Sequence, residues 1–234
     1  MQYGYSIPGY AAACLSAIAL FTAVFALPES LPREQRGDHT SADFSFHTLI
    51  DALRRPHIGM LLLLFFLITF GYANIYATFP LISVREFGYS DKEVGYLFGF
   101  IGIVSAMTQG GLIRMLSARV EERWLFLVGS LLTAVGLVLI PYYYGTFPLL
   151  VVMAVLSVGT GIMTPSCLSL ISRHADPKQQ GGILGINQAL GALGRVLGPI
   201  WGAFVFASVG TTWPFITGGI VLLAVFVLTR RTLW

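Results

Sequence analysis

Seven stretches of the chain stay apolar for about as long as a helix needs to cross a hydrocarbon layer, ~20 residues for ~30 Å. They lie at roughly 8–27, 58–83, 94–117, 124–144, 147–172, 180–208 and 212–230. Apolar and polar positions do not alternate within them, as Met60–Leu67 shows, so helices are predicted rather than β-barrel strands. The breaks between runs are well marked. Pro28 and Pro32 stop the first run, and Pro56 precedes the second. Ser90-Asp91-Lys92-Glu93 reads as a capping box opening the third, with Glu93 placed to reach back to the Ser90 amide. Pro141 closes the fourth, Asp176-Pro177 divides the fifth from the sixth, and Thr211-Thr212-Trp213-Pro214 turns the chain into the last. The expected fold is all-α and integral to a membrane, a helical bundle of about seven transmembrane helices.

Composition removes the alternatives. Of 234 residues, 56% are hydrophobic and 11% charged, against roughly 25% charged in a soluble domain. Such a chain can neither cover a water-facing surface nor remain solvated as a disordered one. A net charge of +3 from thinly spread basic residues is no nucleic-acid footprint. Cys14 and Cys167 both fall inside apolar runs, which excludes a disulfide scaffold and a four-cysteine zinc site.

The placement of the basic residues orients the chain. On the side of loop 28–57 fall Arg33, Arg36, Arg54, Arg55, Arg114, Arg119, Arg123, Arg173, Lys178, Arg230 and Arg231. The other side holds Arg85 and Lys92, and Arg195 falls within a span. Short cytoplasmic loops carry the excess of Lys and Arg. The chain is therefore expected to be multi-pass in the cell (inner) membrane, with loop 28–57 and the C-terminus cytoplasmic. Residues Met1–Ile7 hold no Lys or Arg, so the first run is no signal peptide. It has to cross from outside to inside, which suggests the back part of a longer protein.

Segment 28–57 is the one long hydrophilic stretch, and it separates a first span, 1–27, from six tightly connected spans in 58–234. Phe44–Leu53 is weakly amphipathic, fit for a solvated linker helix or one lying on the membrane surface. His39, His47 and His57 lack metal-ligand spacing and read as solvated, so no metal is expected.

Six helices after a charged linker, with one helix before it, resemble the C-terminal half of a major facilitator superfamily transporter plus its sixth span. Leu27-Pro28-Glu29-Ser30-Leu31-Pro32 resembles the segment that closes span six in the tetracycline-efflux-like, drug/H⁺ antiporter branch. Ala77-Thr78-Phe79-Pro80-Leu81, Phe87-Gly88-Tyr89-Ser90 and Val94-Gly95-Tyr96-Leu97-Phe98 are similar to that branch's span seven and the start of span eight. Gln109-Gly110-Gly111-Leu112-Ile113 and Gly194-Arg195-Val196-Leu197-Gly198-Pro199-Ile200-Trp201-Gly202 complete the set. The resemblance implies that spans one to five lie outside this chain and that a missing N-terminal half is its partner, alongside a small-molecule substrate and the lipid bilayer. Two departures stand out. In the basic loop between spans eight and nine, Leu116, Arg119 and Arg123 fit the family pattern, while Ala118 replaces its acid and Glu121 its glycine. Arg119 and Arg123 are read there as loop anchors. The G-x-x-x-G-P-x-x-G pattern that marks antiporters in span five sits here in the position of span eleven, and so supports the fold more than the direction of transport.

Polar groups at membrane depth are costly and default to functional suspects. None of the 11 Asp and Glu lies within a span, so a titrating carboxylate for proton coupling would have to come from outside the chain. No buried acid, ligand cluster or nucleophile–base pair supports an intramembrane enzyme. No G-x-x-x-x-G-K-[ST] supports ATP use, and no cofactor is expected. Ser166, Cys167 and Ser169 are read as small packing residues. Arg195 is the one charge at depth, ~22 Å from its helix start at ~1.5 Å per residue, with Gln188 on the same face. It has two open roles: pairing with a carboxylate, carbonyls or an anionic group, or bonding carbonyls freed near Pro199. Gly191, Gly194, Gly198 and Gly202 share a face that lets another helix approach closely, for static packing or for rocking of the two halves. The resemblance makes the second and fifth runs pathway-lining. There Thr69, Tyr72 and Tyr76 share one face and Asn74 and Thr78 another, with Thr160, Met163 and Thr164 in the fifth run. Gln109, Asn187 and Gln188 are further pathway candidates, while Trp124 and Tyr142–Tyr144 read as interfacial belt.

The leading expectation is a secondary transporter working by alternating access, exporting small amphipathic compounds, neutral or cationic, with proton coupling supplied from outside the chain. The alternatives are a sugar or metabolite exporter of the same fold, a seven-span receptor, and a half that transports nothing alone. A three-plus-three inverted repeat in the last six helices separates the transporter from the receptor.

Overall fold

A computed structural model of the chain describes residues 7–26, 46–143, 145–176 and 179–232. The Leu27–Pro32 motif, Arg33, Arg36, His39, Tyr144, Pro177 and Lys178 lie outside the described residues. Two units are present, Met1–Asp43 and Phe44–Trp234. In the first, α1 (Ile7–Ala26) is a continuous apolar helix. Its Thr22 hydroxyl donates to the Ile18 carbonyl at 2.8 Å, which hides the one polar hydrogen of that turn.

The second unit is built from α2 (Phe46–Arg54), α3 (Pro56–Ala73), α4 (Ile75–Arg85), α5 (Asp91–Met107), a π-helical turn (Thr108–Leu112), α6 (Ile113–Ser117), α7 (Glu122–Leu139), a 3₁₀ turn (Ile140–Tyr142), α8 (Thr146–His174), α9 (Gln180–Ser208) and α10 (Trp213–Thr232). Among the described residues, seven helical segments, α1 included, are long and apolar enough to cross a membrane, and their bounds follow the sequence reading closely. The expected capping box is present: the Ser90 amide donates to Glu93 Oε2 at 2.8 Å and the Glu93 amide to Ser90 Oγ at 3.4 Å.

The amphipathic linker segment is neither free in solution nor detached. Its helix α2 packs on α3, with Ala52 buried and Leu49 against the core. The sharp reversal at Arg55–Pro56 needs Gly59, because a side chain there would run into the Leu53 carbonyl.

The second span is broken at Asn74, between α3 and α4. Kinks arise at proline or where a side chain enters the backbone ladder. Here Asn74 Nδ2 donates to the Gly71 carbonyl at 2.5 Å, and the Asn74 carbonyl accepts from Thr78 Oγ1 at 2.9 Å. Pro80, inside α4, removes a further backbone donor.

The packing has an internal symmetry. α3 lies along α9 as α5 lies against α8, α7 lies along α8 as α10 lies along α3, and α7 meets α10. Exchanging the first three spans (α3–α4, α5–α6, α7) for the last three (α8, α9, α10) maps these contacts onto one another. Three crossings separate the partners, so each exchanged helix runs in the opposite direction. This is the three-plus-three inverted arrangement of transporter folds, and a receptor bundle does not provide it.

Candidate functional site

Near the middle of the spans, α3, α4, α8 and α9 enclose a cavity of about 200 Å³. It is lined by Phe65, Ile68, Thr69, Tyr72, Ala73, Tyr76, Thr160, Met163, Thr164 and Arg195. The helical period explains the first set. Thr69, Tyr72 and Tyr76 recur at three and four residues and so project to one side, as the sequence reading had them. Two of the three threonine hydroxyls are spent on their own helices: Thr69 Oγ1 donates to the Phe65 carbonyl at 2.7 Å, and Thr160 Oγ1 lies 3.1 Å from the Leu156 and Ser157 carbonyls. The polar character of the cavity therefore rests on Tyr72, Tyr76, Thr164 and Arg195.

The tyrosines form one end of an aromatic ladder. Tyr72 and Tyr76 meet edge to face at 5.7 Å, and Tyr76 stacks on Phe98 at 6.4 Å. Phe98 in turn meets the fully buried Phe79 edge to face at 5.5 Å, so α5 is braced against α4 at the cavity's edge. Tyr76 itself is 55% exposed, which leaves a large aromatic surface on the open side.

Arg195, exposed on α9, reaches back along the glycine face of its helix. A side chain at Gly191 would meet Phe65 Cε1 at 2.7 Å and Arg195 Nη1 at 3.4 Å, so the guanidinium turns back over Gly191 toward the Phe65 ring. The remaining glycines pack α9 on α3 and α4. A Cβ would lie 3.0 Å from the Phe70 nitrogen at Gly194, 2.6 Å from the Phe70 oxygen at Gly198 and 2.8 Å from Asn74 Cβ at Gly202. Pro199, between them, leaves α9 continuous from Gln180 to Ser208.

Four other pathway candidates lie elsewhere. Asn74, grouped with the cavity residues in the sequence reading, is 1% exposed and turned the other way, into the notches at Gly202 and Gly218, because its amide replaces a backbone bond at the kink. Asn187 is fully buried on the same stripe as the α9 glycines, and neither of its polar side-chain atoms has a partner among the described residues. Gln188 and Gln109 are exposed, the latter on the π-helical turn, and neither lines the cavity.

At the basic end of the bundle, Arg119 is exposed after α6, and Arg123 pairs with Glu121. Sequence reasoning missed the neighbouring clasp, where Arg173 of α8 pairs with Glu122 of α7. Ser169 does more than pack: its hydroxyl also donates to Glu122 Oε1 at 3.4 Å. Arg55 Nη1 donates to Gln179 Oε1 at 2.7 Å, and His57 stacks on His174 at 6.2 Å, so α3, α8 and α9 are tied at this end as well. These partners are far apart in sequence and carry no local signal.

A broken second span, an inverted repeat and a mid-span cavity define an α-helical fold of the transporter type. Residues 111–234 match the family described as Major Facilitator Superfamily, and the chain belongs to it, within the tetracycline-efflux-like branch. It is 29% identical to a major facilitator superfamily domain-containing protein 10 of Mus musculus, over 89% of this chain and 49% of the relative. It is 25% identical to a class C tetracycline resistance protein of Escherichia coli, over 97% of this chain and 58% of the relative. The crystal structure of the human organic anion transporter MFSD10 (TETRAN) superimposes with a TM-score of 0.78 at 25% identity, covering 96% of this chain and 57% of that one. The chain thus spans about half the length of the curated relatives it matches.

Proposed function

We propose that this chain is one half of a secondary transporter for small amphipathic molecules, and that the α3–α8–α9 cavity is part of its substrate route. The observation that carries the reading is the convergence of Tyr72, Tyr76, Thr164 and Arg195 on one cavity near the middle of the spans. Aromatic walls with a few directed polar groups suit a ligand bound by stacking and a few hydrogen bonds. The similar proteins support transport but leave the substrate's charge open, since one is titled an organic anion transporter and another a tetracycline resistance protein.

In this reading the route is completed by an N-terminal half with spans one to five, the two halves rock about the cavity, and any proton coupling uses a carboxylate of that other half. The described residues place no Asp or Glu on the cavity wall. Span 1–27 and linker 28–57 precede the C-terminal half 58–234. The excess of basic residues at one end supports a cell (inner) membrane protein with that end, loop 28–57 and the C-terminus in the cytoplasm. Gly191, Gly194, Gly198, Pro199 and Gly202 form the sliding face, and Arg119 and Arg123 anchor the cytoplasmic loop.

The test is access from water. In a Cys14→Ser, Cys167→Ala background of the chain in lipid nanodiscs, Tyr76→Cys and Thr164→Cys are expected to react with a membrane-impermeant maleimide. A lipid-facing Ile220→Cys, 55% exposed on α10, is expected not to react. Unreactive cysteines at both cavity positions in a folded sample would refute the route.

A further inference from the structure

The cavity carries a charge that nothing on its wall answers. Its lining holds Arg195 and no carboxylate, and no ion pair reaches Arg195 among the described residues. Charged side chains at membrane depth pair with one another or with backbone carbonyls, or mark a pathway. Arg195 reaches no acid of its own chain, because all the acids lie in linkers or near span ends. Its guanidinium, on an exposed residue, folds back over Gly191, where the missing side chain leaves room beside the Phe65 ring. A planar, permanently charged fork in a largely apolar pocket matches a carboxylate in both shape and charge. It also repels an ammonium group that would gain no acidic partner there. The aromatic groups supply the rest of the fit, with Tyr72 of α3 and Tyr76 of α4 set edge to face at 5.7 Å.

We propose that the cavity selects small organic anions, an aromatic ring bearing one carboxylate, and that Arg195 is the specificity-determining counter-ion. The proposal rests on the reading of this cavity as part of the substrate route, and it reverses the neutral-or-cationic expectation drawn from the low overall charge. A 200 Å³ cavity has room for a single ring and its carboxylate.

Three ring compounds of similar size separate charge from shape: benzoate, benzamide and benzyltrimethylammonium. Binding of radiolabelled benzoate to the chain in nanodiscs is measured by scintillation proximity, with the other two as competitors. Benzoate is expected to bind, benzamide to compete weakly and benzyltrimethylammonium not at all. Arg195→Lys, which keeps the charge and loses the fork, should bind benzoate more weakly than the parent but more tightly than Arg195→Gln. Arg195→Gln should weaken it by about tenfold to a hundredfold, the range for losing a hydrogen bond to a charged group. A melting curve like that of the parent confirms that each variant is folded. Unchanged benzoate affinity in Arg195→Gln overturns the proposal, and so does tighter binding of benzyltrimethylammonium or no benzoate binding at all. The maleimide labelling at Tyr76→Cys and Thr164→Cys reports separately on the route. Reactive cysteines with no anion preference would sink the charge selection and leave the route standing, whereas unreactive cysteines would sink the route itself.

Discussion

The closest approach of α9 to α3 gives a quantitative prediction. At Gly198 an added Cβ would lie 2.6 Å from the Phe70 carbonyl oxygen, 3.0 Å from Ala73 Cβ and 3.3 Å from the Asn74 nitrogen. Two of those three atoms are backbone, and ordinary contact begins at 3.4 Å, so α9 would have to withdraw by roughly 0.8 Å or bend. Overpacking a fitted interface costs about 1–3 kcal/mol. For a chain of this size each kcal/mol lowers the melting temperature by roughly 2–4 °C, so Gly198→Ala should melt roughly 2–12 °C lower. Gly198→Leu should fall further, since its branched end must displace the same backbone. Gly102 is the control: it lies in α5 with nothing within 4 Å of an added Cβ. There Gly→Ala should leave stability unchanged or raise it by about 0.5–1 kcal/mol, through lost backbone entropy in the unfolded chain. The assay is the fluorescence of a thiol-reactive dye on Cys167, which is fully buried until the bundle opens, in a Cys14→Ser background. Gly198→Ala melting no lower than Gly102→Ala would refute the claim that α9 and α3 touch backbone to backbone.

Two further outcomes follow from single contacts. Asn74→Ala strips the Gly71 carbonyl of its 2.5 Å donor and empties the notches at Gly202 and Gly218, so it should destabilise by about 1–3 kcal/mol in the same melting assay. A melting temperature equal to the parent's would show that the kink does not depend on the amide. Ser90→Ala removes the capping box and should cost about 0.5–2 kcal/mol, seen as faster hydrogen exchange in the first turn of α5 only. Exchange that is unchanged there, or faster along the whole helix, would contradict a local cap.

How much of this was legible beforehand differs from residue to residue. The spans were readable because bilayer thickness imposes one length on every helix, and the capping box because its partners sit three residues apart. The grouping of Thr69, Tyr72 and Tyr76 followed from helical period alone. Asn187 could also have been placed: it lies four residues before Gly191, in step with Gly194, Gly198 and Gly202, and so belongs to the packing stripe where it is found. The break at Asn74 could not, since it depends on notches contributed by α9 and α10 more than a hundred residues later. The Arg173–Glu122 clasp is equally invisible, because it joins helix ends that only the tertiary fold brings together.

One coupling was present in the sequence at neighbouring positions and needed the structure to be seen. Gly194 and Arg195 are consecutive, so their directions differ by about 100° around α9. When Gly194 is pressed against the backbone at Phe70, Arg195 is turned into the cavity beside Tyr72 and Thr164. The packing stripe thus sets the aim of the charge. A substitution that lifts α9 from α3 therefore acts twice, loosening the bundle and swinging the guanidinium off its site over Gly191. Gly198→Ala should for this reason weaken benzoate binding as well as lower the melting temperature, although Gly198 does not line the cavity. Full benzoate affinity in a Gly198→Ala protein that melts early would separate the two effects and show that Arg195 finds its position independently of the glycine face.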